Sequence, residues 1–184
     1  MAVADKIDIS LFKVVTSAIS DTDNLDDMAQ QLTQLMVGAL GIKGSALFVR
    51  NLETDELESV ASFGLSAEYL NKGPILVHRS IYQRTKGQPV VISDVSSSDL
   101  LQYPQDARKE GIQAIVSLPI QLSGRMVGVL RLYHFETWQV SDHDLDILTV
   151  LTDYMGLAMM YTRLLTTLKG IKAGLDTVHP VWLH

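Results

Sequence analysis

The residue of this sequence best suited to binding a ligand is an arginine inside an apolar strand. The stretch VLRLY (129–133) predicts a strand. Side chains alternate along a strand, so Arg131 and Tyr133 lie on one face and the two leucines on the other. If the leucines face a layer of helices, Arg131 and Tyr133 face a cavity. There a guanidinium would offer planar, charge-assisted hydrogen bonds to a carboxylate or a phosphate. An ion pair with a nearby acid, or a position at the solvent-exposed sheet edge, explains the arginine equally well.

Acidic residues and a histidine cluster in SDHDLD (141–146), a composition that can hold a metal ion. The same residues are typical of a helix start, with Ser141 as N-cap, Asp144 in a capping box and Asp142 near the positive end of the helix dipole. The helix start is the stronger interpretation, so no metal site is predicted. His78 is a candidate ligand for haem or iron, although a partly exposed structural histidine is more common.

Three tyrosines, Tyr69, Tyr82 and Tyr103, offer aromatic walls with hydroxyl groups. Such residues suit a ligand cavity, but they also occur at half-buried positions where nothing binds. Arg108 adds a cation on a short charged helix close to Tyr103. The sequence has no cysteine, no Ser-His-Asp spacing and no carboxylate pair suited to acid–base catalysis. It therefore predicts binding and no enzymatic activity.

The hydrophobic periodicity around these residues predicts an α+β fold. The predicted elements are two helices (5–20 and 25–41), a hairpin (45–63), two short helices (66–73 and 78–87), a strand (88–94), a charged helix (103–111), a second hairpin (112–134) and a long helix (141–171). Their order implies a central antiparallel sheet of five to six strands, with terminal helices on one face and short lid helices over a cavity on the other. Residues 1–171 are then a single domain and residues 172–184 a tail.

Composition narrows the environment in which this domain is expected to work. With 184 residues, a net charge of −6 and a pI near 5.2, the chain lacks the basic character of a general nucleic-acid surface. The cysteine-free composition fits a reducing compartment. The N-terminal residues do not form a signal peptide, and no apolar run is long enough to span a bilayer. A cytoplasmic protein without nucleic-acid or membrane contacts is expected.

Four stretches in this order and spacing resemble the GAF domain family of regulatory sensor modules. They are FGLSAEYL (63–70), GQPVVISD (87–94), YPQDARKEGIQAIVSLPI (103–120) and GRMVGVLRLY (124–133), and they are followed by the start of the last helix. The resemblance covers nearly the whole chain. It implies that the short helix before Gly111 is a lid over a ligand cavity. It also implies that the following strand is the cavity floor, with Ala114, Val116 and Leu118 on one face.

The resemblance implies a sensor without naming its ligand, because relatives bind cyclic nucleotides, bilins, haem or small metabolites, and some bind nothing. Bilin attachment and the family's methionine sulfoxide reduction need cysteines, which are absent here. The positions that match the cyclic-nucleotide motif are His134, Phe135, Val140, Asp144 and Leu145. Only Asp144 fits, which argues against a cyclic nucleotide. No cofactor is predicted. A cavity sensor for an unknown small molecule, preferably an anion, and a ligand-free module for dimerisation or protein contact are the two functions that remain.

The long final helix predicts a parallel homodimer. One stripe of apolar residues alternates spacings of three and four and is typical of a helix-packing seam. The stripe contains Ile147, Val150, Tyr154, Leu157, Tyr161, Leu164, Leu168 and Ile171. A second stripe beside it, which includes Leu148, Leu151 and Met155, is sufficient to hold the helix on its own sheet. Val14 and Ala18 of the first helix are expected to extend the seam. Signals would pass through these helices to a separate, unidentified partner protein.

Overall fold

A computed structural model describes residues 5, 7, 9–20, 22, 24–77 and 87–178, except for the side chains of residues 9, 14, 18–20 and 175–178. The helices are α1 (Ile9–Ser20), α2 (Leu25–Leu40), α3 (Ala67–Leu70), α4 (Pro104–Lys109) and α5 (Asp142–Val178). The strands are β1 (Gly44–Asn51), β2 (Glu56–Phe63), β3 (Ile75–Leu76), β4 (Val90–Ile92), β5 (Ala114–Leu122) and β6 (Arg125–His134). Residues 78–86 of the helix predicted at 78–87 lie outside the described residues.

The six strands form one antiparallel sheet in the order β3-β2-β1-β6-β5-β4. Helices α1, α2 and α5 cover one face, and α3, α4 and their connections cover the other. The predicted α+β architecture is confirmed. Because side chains alternate along each strand, the sheet separates two cores. The helix-side core contains Leu47, Val116, Leu118, Leu130, Leu132, Leu148 and Leu151. The cleft-side core contains Ala46, Phe48, Tyr69, Ile115, Val129 and Tyr133.

Local capping explains where the helices begin. The Asn24 side chain accepts a hydrogen bond of 2.8 Å from the backbone N–H of Asp26 at the start of α2. At the start of α5, Ser141 Oγ accepts the backbone N–H of Asp144 at 3.1 Å. The predicted N-cap role of Ser141 is therefore confirmed. Asp144 Oδ1 also accepts the N–H of Ile7 at 2.9 Å, which ties the segment before α1 to the start of α5.

Helix α5 lies unusually close to the sheet at one glycine. A Cβ atom on Gly156 would lie 2.8 Å from the carbonyl oxygen of Gln121 and 3.2 Å from Cγ2 of Ile120. Only glycine allows this approach without displacing backbone. The helix also continues to Val178, past the predicted end near residue 171. In the part of the chain that the structure describes, no helix combines the length and apolarity needed to cross a membrane.

The two predicted stripes of α5 differ in burial. Leu148, Leu151 and Met155 are at most 1% exposed and pack in the helix-side core. The other stripe is largely uncovered in a single copy of the chain. Its exposed fractions are 55% for Val150, 53% for Leu157, 59% for Tyr161, 54% for Leu164, 61% for Leu168 and 56% for Ile171. From residue 163 to residue 174 every side chain except that of Leu165 is exposed, so this part of α5 projects beyond the domain.

Candidate functional site

Strand β6 places Arg131 on the cleft side of the sheet. Arg131 lies opposite Ala46 of β1 and Ser117 of β5, and residues paired in this way share a face. Both neighbours are small, so the guanidinium is not crowded by its cross-strand partners. Leu130 and Leu132 point into the helix-side core. Arg131 and Tyr133 therefore face the cleft, as the alternation along the strand predicts.

The expectation that Ala114 and Val116 form the cavity floor is wrong. Val116 lies opposite Leu132, and both belong to the helix-side core together with Ala114 and Leu118. Ile115, which lies opposite Tyr133, faces the cleft instead. The cause is a β-bulge: Leu122 pairs with Arg125 and Gln121 with Met126, but Ile120 pairs with Gly128. Val127 is the extra residue of this bulge. It shifts the pairing of the remaining β5 residues with β6 by one position, so each of these β5 side chains lies on the opposite face from the one that a regular hairpin would give it.

The cleft lies between the sheet, α3 and the segment before α4. Its lining consists of Tyr69, Lys72, Ile75, Leu101, Gln102, Tyr103, Ile115 and Arg131. The space between these residues is about 340 Å³ with its mouth included, and the centre of a water molecule can move within about 20 Å³ of it. The inner part thus accommodates about one or two waters. A larger molecule reaches Arg131 only if lining side chains move outwards.

Arg131 is a buried cation with no counter-ion among the described residues. It is 8% exposed, its Nε has no hydrogen-bond partner, and the two ion pairs of the described chain are Lys43–Glu110 and Arg50–Asp55. Arg131 Cζ lies over the Phe48 ring, 5.4 Å from its centroid, which is a cation–π contact. Residues 78–86, which lie outside the described residues, contain no aspartate or glutamate. Among the described residues, the guanidinium therefore has no partner of opposite charge.

Tyr133 and Tyr69 surround the guanidinium with buried hydroxyl groups. Tyr133 is fully buried, and its hydroxyl makes no hydrogen bond to a described residue. The Tyr69 ring meets the Tyr133 ring edge-on, with centroids 5.8 Å apart. Burial raises the pKa of both tyrosines, and the positive charge of Arg131 opposes that rise without cancelling it. Both hydroxyl groups consequently stay protonated and remain possible hydrogen-bond donors.

Lys72, which was not predicted from the sequence, is a second cation of the cleft. Its Nζ donates a hydrogen bond of 2.9 Å to the carbonyl oxygen of Tyr69 and lies 3.8 Å from the centroid of the Tyr69 ring. Burial, and after it the charge of Arg131, lower the pKa of Lys72 to about 8, against the opposing effects of Asp106 and Glu110. A lysine just after a short helix carries no distinctive sequence signal, so this residue could be found only from the structure.

Gln102 and Tyr103 form the outer wall of the cleft. The Tyr103 hydroxyl donates to the carbonyl oxygen of Pro74 at 2.9 Å. Gln102 Nε2 donates to the same carbonyl and to the Tyr103 hydroxyl, each at 3.0 Å. These bonds connect the segment before α4 to the segment before β3. The wall is therefore held by hydrogen bonds and not by packing alone.

The lid helix α4 is attached at its C-terminal end through Glu110. The Glu110 carboxylate accepts the Ser66 N–H at 3.0 Å and the Ser66 hydroxyl, and it lies 3.4 Å from Lys43 Nζ. Burial raises the pKa of Glu110, but the Ser66 hydrogen bonds and Lys43 outweigh it and leave the pKa below its ordinary value.

The remaining predicted site residues are not brought into the cleft. Arg108 is exposed, and its Nη2 donates to the carbonyl oxygen of Ser96 at 3.4 Å, away from the lining. His78 and Tyr82 lie outside the described residues. The side chains of Val14 and Ala18 also lie outside them, so their place in the seam of α5 stays a prediction.

The shape of the domain is similar to several solved structures. A GAF domain of a phosphoenolpyruvate-protein phosphotransferase from Coxiella burnetii matches with a TM-score of 0.73 and 14% identity, covering 86% of this chain and 98% of its own. Free methionine-R-sulfoxide reductase from Neisseria meningitidis, solved with its substrate, matches with a TM-score of 0.71 and 17% identity, covering 88% and 97%. The nlh2 GAF domain of A. aeolicus, solved in an inactive state, matches with a TM-score of 0.65 and 18% identity, covering 83% and 94%.

At these identities the structures establish the fold alone, and no curated protein sequence matches the chain. The family comparison is more direct, because the model of the GAF domain matches residues 24–159. That range begins at the N-cap of α2 and ends within α5, so it contains every described residue of the cleft. The chain belongs to the GAF domain family.

Proposed function

We propose that this protein is a sensory module that binds a small anion at Arg131 and acts by binding, without catalysing a reaction. The single observation that supports the proposal is the buried guanidinium, which has no counter-ion among the residues that the structure describes. Removing a charge from water is costly unless a partner of opposite charge compensates for it. A carboxylate or phosphate group in the cleft would supply that charge, together with hydrogen bonds to Arg131 and to the hydroxyl groups of Tyr69 and Tyr133.

Direct binding measurements on purified protein test this proposal. Titration calorimetry with succinate, acetate and inorganic phosphate at fixed ionic strength should detect binding by at least one of them. The variant Arg131→Met should weaken that binding at least about ten-fold, since charge-assisted hydrogen bonds contribute about 1.5–3 kcal/mol each. Arg50→Met is the matched control, because Arg50 pairs with Asp55 at 2.7 Å and is not part of the cleft lining. Equal binding by wild type and Arg131→Met would disprove the role of Arg131.

We also propose that α5 pairs with α5 of a second copy in a parallel homodimer. The exposed stripe keeps the spacing of a heptad seam. The segment from residue 163 to residue 174 has almost no tertiary contact, and isolated helices of about this length are marginal in water. Parallel pairing lets the two projecting segments cover each other.

The cleft and this seam are connected by one strand. Ile115 of β5 lines the cleft, and Ile120 and Gln121 of the same strand contact Gly156 of α5. An anion that shifts β5 would therefore shift α5 against its partner, which is a small change of the kind that regulatory interfaces use. We propose that a separate protein in the cytoplasm responds to this change.

Sedimentation equilibrium tests the dimer. The wild-type protein should have about twice the protomer mass of 20.3 kDa. Replacing Leu164 and Leu168 with glutamate should reduce it to the protomer mass. Thr166→Glu with Ala173→Glu adds the same charge away from the stripe and should leave the dimer intact. A wild-type protomer mass at tens of micromolar would contradict the proposal.

The narrow inner space of the cleft favours a second candidate function, a ligand-free module that serves dimerisation only. Tyr69 and Tyr133 are buried in the cleft-side core, and about 20 Å³ of the cleft remains for the centre of a water molecule. The two functions differ in one outcome. A ligand-free module would dimerise like the sensor, but its melting temperature would not respond to any of the three anions.

A further inference from the structure

We propose that Lys72 is a second anion-binding group, which together with Arg131 selects ligands with two negative charges and makes their binding dependent on pH. This inference rests on the proposed anion site at Arg131. It adds the charge of the ligand and the residue that recognises it. A dicarboxylate and a phosphate monoester share the required chemistry.

The position of Lys72 supports the proposal. Its ammonium group is held by the Tyr69 carbonyl oxygen and by the face of the Tyr69 ring, so it cannot extend freely into solvent. Both Lys72 and Arg131 line the cleft, and neither makes an ion pair with any residue that the structure describes. One ammonium and one guanidinium therefore share a cleft without a carboxylate between them. A single negative charge would neutralise only one of them.

Charged groups on β6 and around α4 act on Lys72. Arg131 on β6 disfavours its protonated form, while Asp106 on α4 and Glu110 after α4 favour it. Glu110 is already engaged with Ser66 and Lys43. Tyr69, on the preceding helix, stays neutral because its pKa is raised. The local balance is positive when Lys72 is protonated, which is the arrangement that attracts a dianion.

The direction of the pH dependence follows from the lowered pKa of Lys72. With a pKa of about 8, Lys72 is mostly charged below pH 8 and loses its proton as the pH rises above it. A bound dianion favours the charged form and raises this pKa. Its affinity is therefore highest below pH 8 and falls above it, by up to about ten-fold per pH unit.

Succinate and monomethyl succinate provide a matched test, because they are similar in shape and differ by one negative charge. Titration calorimetry of the whole protein at pH 7 and pH 9 should show wild type binding succinate at least about ten-fold more tightly than the monoester at pH 7. The preference should shrink at pH 9. Inorganic phosphate at pH 7 identifies the source of the second charge: tighter binding than succinate indicates a phosphate monoester, and weaker binding a dicarboxylate.

Three variants assign the effect to Lys72. Lys72→Met should bind succinate and its monoester within about two-fold of each other. Lys72→Arg should keep the preference for succinate but lose its decline between pH 7 and pH 9, since arginine stays charged. Lys109→Met, on the exposed side of α4, should behave like wild type. Circular dichroism confirms that each variant is folded.

The possible failures are distinguishable. If wild type and Lys72→Met show the same preference, or if wild type binds both compounds equally while Arg131→Met binds neither, the role of Lys72 is disproved and the anion site remains. If wild type binds no anion at all, both the anion site and the role of Lys72 are wrong.

Discussion

Replacing Gly156 with alanine should lower the free energy of unfolding relative to the same replacement at Gly170. Both glycines lie in α5, so each replacement gains about 1 kcal/mol of helix propensity. A new Cβ at position 156 would lie 2.8 Å from a backbone oxygen of β5, whereas one at position 170 would meet nothing within 4 Å. Overpacking of this kind costs about 1–3 kcal/mol. Because the helix propensity cancels in the comparison, Gly156→Ala should be less stable than Gly170→Ala by about 1–3 kcal/mol.

Urea unfolding monitored by circular dichroism measures this difference. All variants should be compared at one protein concentration, because the stability of a dimer depends on it. Gly38→Ala in α2 is a second reference, since its Cβ would also meet nothing within 4 Å. We expect Gly170→Ala and Gly38→Ala to be at least as stable as wild type. If Gly156→Ala were as stable as Gly170→Ala, α5 could move away from β5 without cost, and the proposed connection between cleft and seam would be lost.

Two further predictions concern single polar groups. Tyr133→Phe should raise the free energy of unfolding by about 1 kcal/mol, because it removes a buried hydroxyl without a partner; a clear loss of stability in urea would show that the hydroxyl is hydrogen-bonded. Glu110→Gln should destabilise the protein more at pH 7 than at pH 3. The folded pKa of Glu110 lies below its ordinary value, so its contribution to stability is fully present above the ordinary pKa and is lost as the pH falls through the folded pKa. An equal loss of stability at both pH values would contradict this reasoning.

Much of the fold could be predicted from the sequence, because its signals are local. The caps at Asn24 and Ser141 depend on side chains within a few residues of the helix starts they bond. The side of the sheet on which Arg131 and Tyr133 lie follows from alternation along a single strand. The two stripes of α5 follow from helical periodicity, and the structure shows which of them the sheet covers.

The composition of the candidate site depended on contacts between distant segments. A hairpin without a bulge would pair Val116 with Arg131 and place it in the cleft, but the extra residue at Val127 pairs Val116 with Leu132 instead. Lys72 became a site residue only because α3 folds over β6, far away in sequence. The sequence by itself thus determined most of the elements and the alternation of side chains along each strand and helix, since these depend on neighbouring residues. Only the tertiary structure decided the register of β5 and placed Lys72 in the same cleft as Arg131, because a bulge and a shared cleft are properties of packed segments.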